Sequence, residues 1–146
     1  LLFKTMLISG ANSCRSCILH NPDKIIEIFI NKEKQSFFEN LIEKNKLNNK
    51  TKLLNKNDFN RLGIKNDRFI SDIVIRREKY KSFNLEEIIK NSEKSLIIIA
   101  DQITDQNNLG NIIRTSLLIG ADGLLLSEYS SADINEVTSL TSSGAV

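Results

Sequence analysis

The stretch Ser95-Leu96-Ile97-Ile98-Ile99-Ala100-Asp101, with Asn108-Leu109-Gly110-Asn111-Ile112-Ile113-Arg114-Thr115 and Gly123-Leu124-Leu125-Leu126 after it, decides the fold. The run at 96–100 is continuous and apolar, bounded by polar residues, and too short for a helix, so it reads as a central strand covered on both faces. A polar loop follows at 101–107. Leu109, Ile112, Ile113 and Leu117 then recur at helical spacing, predicting a helix over 108–118 whose apolar stripe packs on the sheet. Gly120 ends that helix, and 123–126 is a second buried strand. Residues 132–140 read as another helix and 142–144 as a turn. Strand, loop, helix, strand is the opening of a mostly parallel α/β sheet. Two strands and two helices cannot cover both faces of such a sheet. These strands are therefore expected to find neighbours elsewhere, either because the chain is a fragment or because a partner supplies them.

Upstream, the pattern is a separate α/β unit. Residues 12–20 predict a helix capped by Asn12 or Ser13 and stopped by Pro22. Residues 24–30 alternate and are rich in Ile, which predicts a strand, and 35–46 place Phe37, Phe38, Leu41 and Ile42 on one helical face. A short strand follows at 51–54, then a single helical turn through Leu62 capped by Asn57 or Asp58, then a strand at 68–75. Leu7-Ile8-Ser9-Gly10 makes a poor strand. The expected division is a first domain over 1–80, a linker with a short helix over 81–94, and a second, incomplete domain over 95–146.

The chain has 146 residues, 40% of them hydrophobic and 26% charged, which suits a globular protein and not a disordered one. Its apolar runs are far too short to span a bilayer, and Lys4 interrupts the leading one, so neither a membrane span nor a secretory signal is expected, and a cytoplasmic location is. The chain begins with Leu1 rather than Met, which is compatible with a partial sequence. The net charge of +2 conceals a division: nineteen bases against twelve acids precede Ser95, and from there on one base, Arg114, faces six acids. A basic front half is compatible with a polyanion such as RNA, and equally with lysines that merely solvate helices.

Cys14-x-x-Cys17 with His20 has no second ligand pair, and on a helix three ligands at those spacings fan apart, so free thiols are expected and no metal site. The loop after the first parallel strand lacks Gly-x-Gly-x-x-Gly, no Gly-Lys-Ser/Thr exists anywhere, and one His cannot complete a triad, which sets aside dinucleotide, P-loop and serine-hydrolase chemistry. What remains is Arg114, about a third of a turn off the apolar stripe and toward the Asn108 end, where helix amides favour anions. It could clamp a phosphate or carboxylate by bidentate bonds, or it could form a surface ion pair with Glu128 or Asp133.

Asp105-x-x-Asn108-Leu109-Gly110-Asn111-Ile112-Ile113-Arg114-Thr115, then Gly120-Ala121-Asp122-Gly123 and Ser142-Ser143-Gly144-Ala145, resembles the start of the catalytic domain of SpoU/TrmH-type (SPOUT) RNA 2′-O-ribose methyltransferases. Gln106 stands where the family pattern has Pro. Gly10-Ala11-Asn12-Ser13 and Asn21-Pro22-Asp23-Lys24 are similar to that family's L30e-like substrate-binding domain, and Arg68-Phe69-Ile70 occupies the place of its His-Gln-Gly. The resemblance implies a small L30e-like α/β/α domain followed by an incomplete, mostly parallel α/β-knot domain, the N-terminal portion of such an enzyme. It implies methyl transfer from S-adenosylmethionine to a ribose 2′-hydroxyl of RNA, rRNA more than tRNA, by a homodimer, to which the outward Leu118 could contribute. Arg114 and Asn108 match the catalytic positions, and Asn12, Arg15, Arg68, Asn108 and Arg114 would contact RNA. Arg114 hardly deprotonates, so its role would be to hold phosphate and favour the developing alkoxide. The family's methyl-donor site lies in later knotted segments, so the chain alone is expected to bind the cofactor weakly or not at all. A reading of different class is a non-catalytic RNA-binding module from a split or decayed gene.

Overall fold

The computed structural model describes residues 5–62, 72–89 and 94–146, which divide into one unit over 1–79 and another over 80–146. The first is built on a four-stranded mixed sheet of β1 (Thr5–Ser9), β2 (Ile25–Asn31), β3 (Thr51–Leu54) and β4 (Ile73–Glu78), in the order β1-β4-β2-β3. β4 runs antiparallel to both β1 and β2, and β3 lies parallel to β2. Strand alternation sends Phe29 and Val74 to one face, where they pack with Phe59, Leu7, Leu54 and Leu62. Phe59 belongs to α3 (Lys56–Asn60). Ile8, Ile28, Ile30, Ile73 and Ile75 take the other face, all at 1% exposure or less. Cys14 and Ile18 of α1 (Ala11–His20) and Ile42 of α2 (Gln35–Lys44) are buried with them. Burying each such isoleucine contributes about 1.5–3 kcal/mol, so this Ile layer dominates the unit's stability.

Four sequence readings of this unit need correction. Residues 5–9 do form a strand, although Leu7-Ile8-Ser9-Gly10 read as a poor one; it is an edge strand, and after Ser9 the chain swings into α1 with Gly10 at φ 90°. That glycine, not Asn12 or Ser13, is the N-cap of α1, and Asn55 rather than Asn57 or Asp58 caps α3. The last strand extends to Glu78, past the expected end at Ile75, because Arg76 and Arg77 are both accommodated. Arg76 pairs with Glu27 across the sheet, and Arg77, only 4% exposed, donates to the Glu78 carbonyl and reaches Cys17 Sγ at 4.0 Å. The beginning of that predicted strand, 68–71, lies outside the described residues.

The second unit carries a two-stranded parallel sheet, β5 (Ile97–Ala100) beside β6 (Gly123–Leu126), with Ile97 opposite Gly123 and Ala100 opposite Leu126. Between them runs α5 (Gln106–Leu118); α4 (Leu85–Ile89) precedes the sheet and α6 (Glu136–Thr141) follows it. Ile88 of α4 packs where Gly123 has no side chain: a Cβ there would meet Ile88 Cδ1 at 3.0 Å. α6 starts at Glu136, four residues later than the sequence pattern suggested, because Asn135 caps it by accepting from Val137 and Thr138 N–H. Tyr80 Oη donates to the Val146 carbonyl at 3.0 Å, tying the two ends of this unit together.

The expectation that β5 is covered on both faces does not hold for the described residues. Ile99 is 75% exposed, and no residue of β6 is fully buried. The helix stripe also differs. Leu109 is fully buried, but Leu117 is 60% exposed, and Gly110 and Ser116 are buried in its stead. One reason is that α5 packs against α6 at Gly110, which has Thr138 and Thr141 as its neighbours.

Candidate nucleic-acid interface

The loops leaving the two parallel strands are stitched together. Gln102, held at φ 52°, donates its N–H to Ser127 Oγ at 3.1 Å. Ser127 Oγ lies 2.7 Å from Ser131 Oγ, and Ala132 N–H donates to the Ile103 carbonyl at 2.7 Å. This mesh fixes the approach to α5, whose N-cap is Asp105: its carboxylate accepts from Asn108 N–H at 2.8 Å. The helix therefore begins two residues before Asn108, and its anion-friendly end already receives a carboxylate. Asn107 Oδ1 accepts from the Thr141 hydroxyl at 3.1 Å, a second anchor of that turn.

Asn108 and Arg114 are both exposed on α5. Helix geometry does not make them neighbours. Six positions correspond to a rise of about 9 Å and a rotation of about 120°. The amide one turn from Arg114 is Asn111, also exposed, which lay in the quoted motif but was not singled out. Its signal was the i, i+3 spacing. Among the described residues the Arg114 guanidinium has no hydrogen bond or ion pair, so the contact with Glu128 or Asp133 considered from sequence is not made.

In the first unit α1 presents Asn12 and Arg15 outward, three residues apart on one exposed face. Arg68 lies outside the described residues. Cys14 and Cys17 face inward as free thiols. Burial raises the pKa of Cys14 well above the usual thiol value and the nearby Cys17 adds to this; burial also raises that of Cys17, partly offset by the charge of Arg77. Among the described residues no three His, Cys, Asp or Glu side chains converge as metal ligands, and no helix is long and apolar enough to cross a membrane.

Two loops joined at one end of a parallel sheet, followed by a helix that displays an arginine, define an α/β protein of the kind seen in part of the SpoU methyltransferase structures. The SpoU methyltransferase AviRb of Streptomyces viridochromogenes, solved with AdoMet, superposes with a TM-score of 0.73 at 21% identity, covering 99% of this chain and 53% of that one. The 23S rRNA (guanosine-2′-O-)-methyltransferase RlmB of Haemophilus influenzae is 28% identical over 144 residues, 94% of this chain and 57% of the relative. The mitochondrial rRNA methyltransferase 1 of Schizosaccharomyces pombe is 39% identical over 51 residues, 35% of this chain and 17% of that protein. No family model matches. The chain is a homologue of the SpoU/TrmH family of RNA methyltransferases, and it spans about half the length of the curated relatives that match most of it.

Ile98, Asn111, Ile112, Thr115, Ser116 and Ile119 line an open hollow of about 260 Å³. Asn111, Thr115 and Ser116 supply its polar groups, and no charged side chain is among them.

Proposed function

We propose that this chain supplies the RNA-recognition domain and the first part of the catalytic domain of an S-adenosylmethionine-dependent RNA 2′-O-ribose methyltransferase acting on rRNA. The observation that carries this reading is Arg114. In a segment with six acids and one base, that base stands exposed on α5 without an ion partner among the described residues. An exposed guanidinium without an ion partner in so acidic a segment is disposed for an anion from outside, and RNA phosphate is the anion that a substrate like that of the rRNA-modifying relatives would bring. Held there, it would fix the ribose and favour the alkoxide that forms as the methyl group moves. Asn111 would orient the guanidinium, and Asn108, nearer the helix start, would meet the ribose. Asn12, Arg15 and Arg68 would hold the RNA at the first domain. In this reading the first domain is L30e-like and the second is the opening of the knotted domain, and the site for S-adenosylmethionine and the dimer contact correspond to the part of the relatives that this chain does not span.

The test is a fusion of residues 1–146 to the portion of the Haemophilus influenzae relative that this chain does not span, assayed for transfer of labelled methyl groups to RNA. Transfer that Arg114→Ala lowers by two orders of magnitude or more supports the enzyme. RNA binding without transfer, insensitive to Arg114→Ala, supports a non-catalytic binding module.

A further inference from the structure

We propose that Phe37 of α2, with Lys34 against its ring, is a stacking platform for an unpaired base of single-stranded RNA. The inference rests on the RNA reading above and adds a contact surface to it. Phe37 is 76% exposed, although burying a phenylalanine would contribute about 1.5–3 kcal/mol. Contrary to the reading that put both on one face, the helix is anchored through Ile42, 3% exposed and about 140° round from Phe37, so the position of Phe37 is not the result of a loosely seated helix.

Lys34 Nζ sits 5.5 Å from the centroid of the Phe37 ring, within cation–π range. Among the described residues that ammonium has no carboxylate partner. The ring thus has a cation at one side and remains largely open, so a base can lie on the ring while the ammonium meets the adjoining phosphate. Lys44 follows Phe37 by seven positions, two turns along and on the same face, also without an ion partner among the described residues. Glu39 and Glu43 turn away from this stripe and line a hollow with Thr51 and Leu53. Glu33 is the nearby exposed carboxylate, and it opposes a phosphate there.

The unit as a whole has sixteen bases against nine acids over residues 1–79, the balance a polyanion needs. An open aromatic face with flanking lysines in a basic domain is how unpaired nucleotides are held irrespective of sequence, whereas a duplex hides its base faces and gains nothing from the ring.

The experiment is fluorescence anisotropy of a labelled single-stranded oligoribonucleotide, and separately of a blunt RNA duplex, titrated with the 146-residue chain. Phe37→Ala should weaken single-strand binding about 5- to 100-fold and leave duplex binding within a factor of two. Phe37→Trp should restore the loss and Phe37→Leu should not, since only the former provides a π-face. Glu33→Gln should tighten binding. An unchanged thermal transition for Phe37→Ala establishes that the fold is intact. Single-strand binding insensitive to Phe37→Ala, or fully restored by Phe37→Leu as an apolar protein contact would be, overturns the platform while leaving the RNA reading in place. No binding of either RNA by the unsubstituted chain overturns both.

Discussion

Gly110 of α5 lies so close to Thr141 of α6 that a methyl group on its Cα would sit 2.7 Å from the Thr141 Cβ and 2.9 Å from the Thr138 carbonyl. Backbone lies on one side of that contact and a β-branched side chain on the other, so little can yield. Gly110→Ala is therefore expected to destabilise the second unit by about 1–3 kcal/mol, although alanine is the better helix former. Urea denaturation followed by far-UV circular dichroism checks this, and Thr141→Gly in the same chain should recover part of the loss.

Glu27 lies between Lys52, whose Nζ is 2.6 Å from Oε1, and Arg76, whose guanidinium meets Oε2 and also lies 5.5 Å from the Phe29 ring centroid. The hydrogen bond from Lys52 is the main influence holding its pKa below the usual glutamate value, with the charges of Lys52 and Arg76 adding to it. A carboxylate whose pKa is depressed by folding contributes stability above its unfolded pKa, near 4.3, and loses it as pH falls through the folded value. Stability of the first unit should decline on acidification below about pH 4.5, and Glu27→Gln should flatten that part of the curve. Equilibrium unfolding between pH 3 and 7 measures it.

The thiols of Cys14 and Cys17 should be nearly inert toward Ellman's reagent at pH 7 in the folded chain and react at once in denaturant. Both are buried, and burial keeps them protonated, as the thiolate is the reacting form. Rapid native-state reaction at either would contradict the packing of α1 on the Ile layer.

Ile99 and Leu118, each 75% exposed, should tolerate polar replacement. Ile99→Thr and Leu118→Gln are expected to change stability by less than about 0.5 kcal/mol. They should also reduce any concentration-dependent self-association seen by light scattering, because they remove exposed apolar area.

The β5–α5–β6 unit was legible because its strands are unbroken Ile and Leu runs, and the helix between them bears a family-specific motif. What sequence could not give was the buried face of that helix. Hydrophobic period selected Leu117, yet the close contact with α6 is made at Gly110, which meets Thr138 and Thr141, small residues that allow close approach but carry no apolar signal. Edge strand β1 was missed for a related reason: Ser9 is 2% exposed, a buried polar residue that, with Gly10 after it, makes a poor strand signal. The extension of β4 through Arg76 and Arg77 was hidden because each charge is accommodated by a partner distant in sequence, Glu27 for one and the surroundings of Cys17 for the other. At the candidate site Arg114 stood out as the lone base of its segment, while its role came only from the resemblance of the motif around it. Its relation to Asn108 was not legible, since helix geometry places Asn111 as the nearer amide.

The most direct test of Arg114 as a phosphate ligand is the salt dependence of RNA binding by the chain and by Arg114→Ala. Loss of one phosphate contact should lower the slope of log K against log salt by about 0.7 for a single strand, with thermal stability unchanged. An identical slope and affinity for the two proteins would contradict the assignment.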